Sequence, residues 1–287
     1  MTNMWTNFHT HSTWCDGKSS IAHLVAAAER QGLKIMGLSS HAPLPFARPW
    51  AMKQSDFTSY LDEIASIKST TGVRLHAGLE IDFIPGKVCV SDFSSQLDYT
   101  IGSIHFVDSF PNGEPWEIDG STALFEDGLN RIFHNDVHEA VSRYFELTRE
   151  MLRSDPPTIL GHLDKIKIHN RVRPFFEESE SWYQSLISET LKEVKRSGVI
   201  VEINTRGIYQ KKTNTTYPGP AIIERMLAMN IPITLNSDAH HADDLVNTFP
   251  EAADMLIEIG YRALHVLHDG EWLPHDFNRN GIHTKRS

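Results

Sequence analysis

The sequence predicts an α/β fold in which parallel strands close into a βα barrel, with a metal site at the carboxyl ends of the strands. Three observations carry this. Apolar runs rich in β-branched residues alternate with helical periodicity through seven strands, the pattern of a parallel sheet with crossover helices. The 287 residues suit one α/β barrel, and no Pro-, Gly- or Ser-rich linker divides 1–287, which reads as a single domain. Histidine, with 16 copies, recurs with acidic residues at strand ends, where a barrel gathers its reactive groups.

The opening strand runs into Asn7-Phe8-His9-Thr10-His11, and the loop after it carries Asp16. Side chains of an extended strand alternate faces, so His9 and His11 point the same way. Ser19 and Ser20 cap a helix with an apolar stripe at Ile21, Leu24, Val25 and Ala28, stopped by Gly32. The strand 34–41 ends in His41, and three prolines keep the loop 42–50 irregular. A helix over 56–71 precedes the strand 73–81, whose end carries Glu80 and Asp82; the strand 99–105 ends in His105. Next comes an insertion, 108–135, in which Pro111, Gly113, Pro115 and Gly120 break regular structure, and which is expected to act as a lid. An amphipathic helix over 136–153 leads to the strand 158–162, ending in His162. A helix over 179–197, the strand 199–203, a helix over 218–229 and the strand 231–235 follow, the last running into Asp238 and His240. A closing helix over 250–259, a short strand or hairpin over 263–272 and a loose polar tail over 278–287 complete the chain.

A lone histidine at a strand end is more often a satisfied polar residue than a ligand. Recurrence at nearly every strand end reverses that reading in favour of a metal cluster, since imidazole and carboxylate both suit Zn, Mn or Fe. The other histidines, at 23, 76, 134, 138, 169, 265, 268, 275 and 283, read as surface, lid or packing residues. Cys15 and Cys89 form no Cys-x-x-Cys pattern, which argues against a disulfide framework or thiolate zinc site. A formal charge of −10 argues against a nucleic-acid polymer as partner. There is no apolar run near the ~20 residues of a membrane helix and no basic-then-apolar leader, so a cytoplasmic location is expected. Oligomeric state leaves no mark in the sequence.

His-Thr-His at 9–11, Asp16, His41, Gly-Leu-Glu at 78–80, Gly-Ser-Ile-His at 102–105, Gly-His-Leu-Asp at 161–164 and Ser-Asp-Ala-His at 237–240 resemble, in order, the PHP (polymerase and histidinol phosphatase) superfamily. Glu-Ile-Asn at 202–204 and the loop 116–120 are similar to its histidinol-phosphate phosphatase branch. The resemblance implies a distorted, TIM-like seven-stranded βα barrel holding three divalent ions. Carried over by position, it places His9, His11, Glu80 and Asp238 on one ion, Glu80 as a bridge with His105 and His162 on a second, and Asp16, His41 and His240 on a third. The familiar pattern often has His where this chain has Asp16; a carboxylate there favours Mn or Fe over Zn.

Three ions with the carboxylates of Asp16, Glu80 and Asp238 leave the pocket at about +3, suited to a phosphate monoester dianion. A small phosphorylated metabolite is therefore the expected partner, with water activated between ions as nucleophile. Glu80 and Asp238 are assigned to the catalytic centre as ligands, and Arg206 as an added clamp on phosphate. Lys167, with Lys165 beside it, is a further candidate for phosphate; Trp116 and Asp119 of the insertion are candidates for the rest of the substrate. The resemblance points to L-histidinol phosphate, whose ammonium group would meet Glu114, Glu117 and Asp119. A nucleotide or another small phosphorylated metabolite is the alternative.

Overall fold

The computed structural model describes residues 3–171 and 174–283. In chain order the elements begin with β1 (Asn3–Asn7), α1 (Ile21–Arg30), β2 (Leu33–Leu38), α2 (Phe57–Lys68), β3 (Arg74–Asp82) and β4 (Tyr99–Ser103). A hairpin of β5 (Phe106–Ser109) and β6 (Pro115–Glu117) follows, then α3 (Thr122–Phe133) and α4 (Val137–Ser154). β7 (Ile159–Leu160), α5 (Ser181–Ser197), β8 (Ile200–Asn204), α6 (Arg206–Tyr209), α7 (Pro220–Ala228), β9 (Ile233–Asn236) and α8 (Phe249–Ile259) come next. β10 (Ala263–His268), β11 (Glu271–Asn278) and β12 (Gly281–His283) end the described chain. No helix among the described residues is long and apolar enough to cross a membrane.

Local signals explain most boundaries. Ser20 Oγ accepts the His23 N–H at 3.3 Å at the start of α1, and the Ile21, Leu24, Val25, Ala27 and Ala28 face of that helix is buried. Gly198 closes α5 in the left-handed conformation, and Pro220 opens α7, where its missing N–H costs nothing.

The result is a mixed α/β fold around a nearly closed, barrel-like sheet of ten strands, in the order β10-β11-β12-β1-β2-β3-β4-β7-β8-β9. From β1 to β9 all neighbours pair in parallel. Just beyond the ends of β1 and β9 a parallel bridge joins Thr10 to Ala239: the His11 N–H donates to the Ala239 carbonyl at 2.8 Å, and the Ala239 N–H to the His9 carbonyl at 3.1 Å. The strand count therefore differs from the expected seven. Residues 263–283 fold as an antiparallel meander whose last strand pairs with β1, so the sheet gains three strands. The same pairing corrects the expectation of a loose tail from 278: Gly281–His283 is strand, while 284–287 lie outside the described residues. Tyr99 crosses the interior to donate its hydroxyl to the Phe8 carbonyl at 2.6 Å, and Phe8 meets the Tyr99 and Trp272 rings at 5.6 and 4.7 Å.

The insertion is more regular than its prolines and glycines suggested. Pro115 starts β6, where a strand tolerates a missing donor, and Gly113, at φ +84°, makes the turn. Trp116 is 1% exposed, donates Nε1–H to the Leu124 carbonyl at 3.2 Å and packs on Phe125 and Phe133 at 5.3 and 5.5 Å. A Cβ at Gly128 would overlap its indole, so α3 can lie on the hairpin only with glycine there. Trp116 is thus the core of the insertion, and its assignment to substrate is corrected. Trp116→Ala is expected to destabilise the protein by about 3–5 kcal/mol, read as a lowered urea midpoint; a change under about 1 kcal/mol would show that the ring is not a packing anchor.

Candidate metal centre

Parallel strands deliver the expected side chains to one cleft. His9 and His11 leave the end of β1 fully buried. The loop behind them doubles back at Gly17, where a Cβ would run into the His11 carbonyl, and the Lys18 N–H donates to the His240 carbonyl at 2.6 Å. This return brings Asp16 Oδ1 to 3.2 Å from His240 Nε2 and 3.9 Å from His41 Nε2. Asp238 follows β9 at φ +52°, a left-handed conformation that Asp tolerates better than most residues. Its Oδ1 sits 3.3 Å from His11 Nε2, 3.4 Å from His240 Nδ1 and 3.8 Å from His9 Nε2.

Glu80, on β3, is the centre of the arrangement. Oε2 faces His41 Nδ1, His9 Nε2 and His11 Nε2 at 3.1, 3.2 and 3.4 Å. Oε1 accepts from Ser103 Oγ at 2.7 Å and lies 2.8 Å from His162 Nε2 and 3.7 Å from His105 Nε2. Burial alone would push its carboxyl up, but the imidazoles of His9, His41 and His105 and the His162 contact hold it well below the usual range.

The donor atoms fit metal ions. His9 Nε2, His11 Nε2, His41 Nδ1 and Asp16 Oδ1 are buried without a hydrogen-bond partner, a condition that a folded protein tolerates only where something else satisfies the group. Ligand-type atoms lie within 4.8 Å of one another in four groups: His11, Asp16, His41 and His240; His9, His11 and Glu80; Glu80, His105 and His162; His41, Asp82 and His105. Eight of the nine expected ligands stand in these groups, and Asp238 faces His9, His11 and His240 beside them. Three details differ from the expected partition: His11 also stands in the Asp16 group, Asp82 joins the cluster with His41 and His105, and Asp238 stands outside the His9, His11 and Glu80 group.

Around these groups lie residues of a different kind. The cleft, about 210 Å³, is lined by Asp16, His41, Glu80, His105, Asp238 and His240 and by Trp50, Glu117, Asp119, Lys165 and Arg206. Asp119 reaches it but is already paired, its Oδ2 2.7 Å from Lys165 Nζ, which is also 2.9 Å from His105 Nε2. Lys167, two residues on, turns away and is committed to Asp164 at 2.7 Å, Thr215 at 3.2 Å and Glu178 at 3.4 Å. The phosphate role given to Lys167 is corrected: Lys165 is the lysine of the cleft. Arg206 is close to ligand-type residues, with Nη1 2.7 Å from both the Asp238 carbonyl and His240 Nδ1. Trp50 donates Nε1–H to Glu117 at 3.2 Å and lies edge-on to His41 at 4.7 Å. Glu114 stays outside, 60% exposed near Arg48.

Several of these were not anticipated. Asp82 Oδ1 is 2.8 Å from His105 Nδ1, and Glu202 Oε1 is 2.6 Å from His9 Nδ1. Glu202 had a signal, an acid inside the apolar run Val199-Ile200-Val201-Glu202-Ile203, where only an inward polar partner justifies it. Trp50 comes from an irregular segment without periodicity and had none, whereas Lys165 was already a candidate beside Lys167.

Imidazoles and carboxylates gathered from parallel strand ends, with buried donor atoms that no protein group satisfies, define a metal-centre protein of the α/β barrel class. The chain belongs to the PHP domain family, whose match spans residues 7–206. It is 26% identical over 271 residues to the "Probable histidinol-phosphatase" of Deinococcus radiodurans, covering 91% of this chain and 95% of that protein. Against the histidinol-phosphatase of Bacillus subtilis it is 22% identical over 257 residues, covering 83% and 94%. A crystal structure of histidinol phosphate phosphatase from Lactococcus lactis, in complex with zinc, L-histidinol and phosphate, superposes with a TM-score of 0.64 at 16% identity, covering 99% of this chain and all of that one.

Proposed function

We propose that the protein is a metal-dependent phosphomonoesterase that hydrolyses L-histidinol phosphate to L-histidinol and phosphate in the cytoplasm, as a step of histidine biosynthesis. The observation that carries the chemistry is the set of buried, unsatisfied atoms of His9, His11, His41 and Asp16 around Glu80. Three divalent ions, Zn, Mn or Fe, would be held by His9, His11, Asp16, His41, Glu80, His105, His162, Asp238 and His240. When bound, such ions supply Lewis acidity to phosphoryl oxygens and a nucleophile at neutral pH. In this reading the nearly closed sheet carries the centre at the carboxyl ends of its parallel strands, in one domain with 108–135 as its lid.

The chain's own groups do the rest. Glu80 and Asp238 hold the centre together, and Arg206 and Lys165 present positive charge to the phosphate within the cleft. The substrate's ammonium group meets Glu117 at the mouth, where burial and the neighbouring Asp119 already raise the Glu117 carboxyl and a cation would restore it. Asp119 is satisfied by Lys165 and serves to hold that lysine. A cleft of about 210 Å³ is of a size for a small monoester.

Steady-state kinetics test the substrate. With the purified, metal-loaded protein, kcat/KM for L-histidinol phosphate is expected to exceed those for para-nitrophenyl phosphate and a nucleoside monophosphate by at least about 100-fold, roughly 2.7 kcal/mol in transition-state binding. A nucleoside monophosphate turned over as well or better would move the assignment to a nucleotide phosphatase. Equal rates on all three would leave only the phosphomonoesterase.

A further inference from the structure

Glu202 is fully buried on β8 and does not line the cleft. Its carboxylate nevertheless touches several of the elements that build the centre. Oε1 lies 2.6 Å from His9 Nδ1 and accepts from Asn236 Nδ2 at 3.0 Å. Oε2 accepts from the backbone N–H of His162 at 3.0 Å and from Asn204 Nδ2 at 2.9 Å.

The roles of these partners are settled by their other contacts. A backbone N–H can only donate. Asn236 uses Oδ1 to accept the Phe8 N–H at 2.8 Å, and Asn204 uses Oδ1 to accept the Arg206 N–H at 2.9 Å, so both amide nitrogens face Glu202 as donors. An acceptor-only group is required at their meeting point, and an ionised carboxylate is one. His9 Nδ1, at 2.6 Å from the same carboxylate, must then donate as well, which places its proton on Nδ1 and leaves the Nε2 lone pair aimed at Glu80 and Asp238. That nitrogen is among the buried atoms with no hydrogen-bond partner.

We infer that Glu202 is a positioning residue: it fixes the tautomer and ring orientation of His9 and ties His9 to the backbone of His162 and, through Asn204, to Asp238. Asn204 Nδ2 is also 3.3 Å from Asp238 Oδ2, so one buried carboxylate sets groups from three strand ends against one another. The inference rests on the proposed metal centre and adds to it a support that no cleft-lining residue supplies. Glutamine is not equivalent here, because whichever way its amide turns, its NH₂ meets a pair of donors.

The test uses the full-length chain, stripped and titrated with Zn²⁺ against a competing chelator. Glu202→Gln is expected to lose about 10- to 100-fold in affinity for at least one ion. An amide opposed to donors also strains the fold, so a second measurement is made on the wild type. Long-range ¹H–¹⁵N NMR of the Zn²⁺-loaded protein, with the His9 signals identified by their loss in His9→Gln, is expected to show Nδ1 protonated and Nε2 bound to metal. A His9 bound through Nδ1, or a folded Glu202→Gln with wild-type affinities, overturns the inference and leaves the metal centre standing. A wild type that takes up none of Zn²⁺, Mn²⁺ and Fe²⁺ removes both.

Discussion

Glu80→Gln is expected to lower kcat by at least about 10³-fold, roughly 4 kcal/mol, and to leave the protein with fewer bound ions than the wild type. The two oxygens of Glu80 face the two halves of the centre. Oε2 faces His41, His9 and His11 at 3.1–3.4 Å, while Oε1 faces His162 and His105 and takes the Ser103 hydroxyl. An amide keeps the shape but removes the negative charge and replaces one oxygen with an NH₂ group, which cannot bind a cation. Whichever way it rotates, one half of the centre loses its acceptor. The two readouts separate mechanism from misfolding: metal content by elemental analysis, and kcat measured on protein whose circular dichroism matches the wild type. A variant with wild-type kcat and full metal content would remove Glu80 from the centre.

Removing metal is expected to abolish activity and also to lower the melting temperature by roughly 10 °C, both restored by adding back a divalent ion. An ion that binds only the folded state stabilises it by RT ln(1 + [L]/Kd), about 4 kcal/mol at a thousandfold excess over Kd, and a chain of this size shifts by a few degrees per kcal/mol. The effect is large here because the ligands are dispersed along the sequence. His9, His41, His162 and Asp238 follow different strands and Glu80 lies on another, and four of the buried donor atoms have no hydrogen-bond partner. Calorimetry before and after chelation, with elemental analysis of the untreated protein, checks both parts. About three ions per chain and a restored transition are the expected result, whereas one ion or none in unchelated protein, or an unchanged melting temperature, would sink the three-ion centre.

The sequence by itself determined the parallel α/β architecture and the strand ends around which the histidines and acids gather. The reason is that each signal was local: a β-branched run sets a strand, and a histidine or acid just past it is placed at the strand's carboxyl end whatever the rest of the chain does. Tertiary structure alone decided what lies around that ring. Lys165 and Lys167 stand two residues apart on one short turn, with nothing in the sequence to choose between them; packing sends Lys165 to Asp119 and His105, and Lys167 to Asp164 and Glu178. Trp116 read as a substrate candidate in an irregular loop, and its packing on Gly128, Phe125 and Phe133 makes it a core residue. Residues 281–283 carry too short a pattern to be read as a strand and become one because β1 offers them an open edge. The partners of Glu202 come from β1, β9, β8 itself and the turn after β7, far apart along the chain. Such convergence of distant donors on one buried carboxylate has no periodicity to announce it, and it exists only once the sheet has closed.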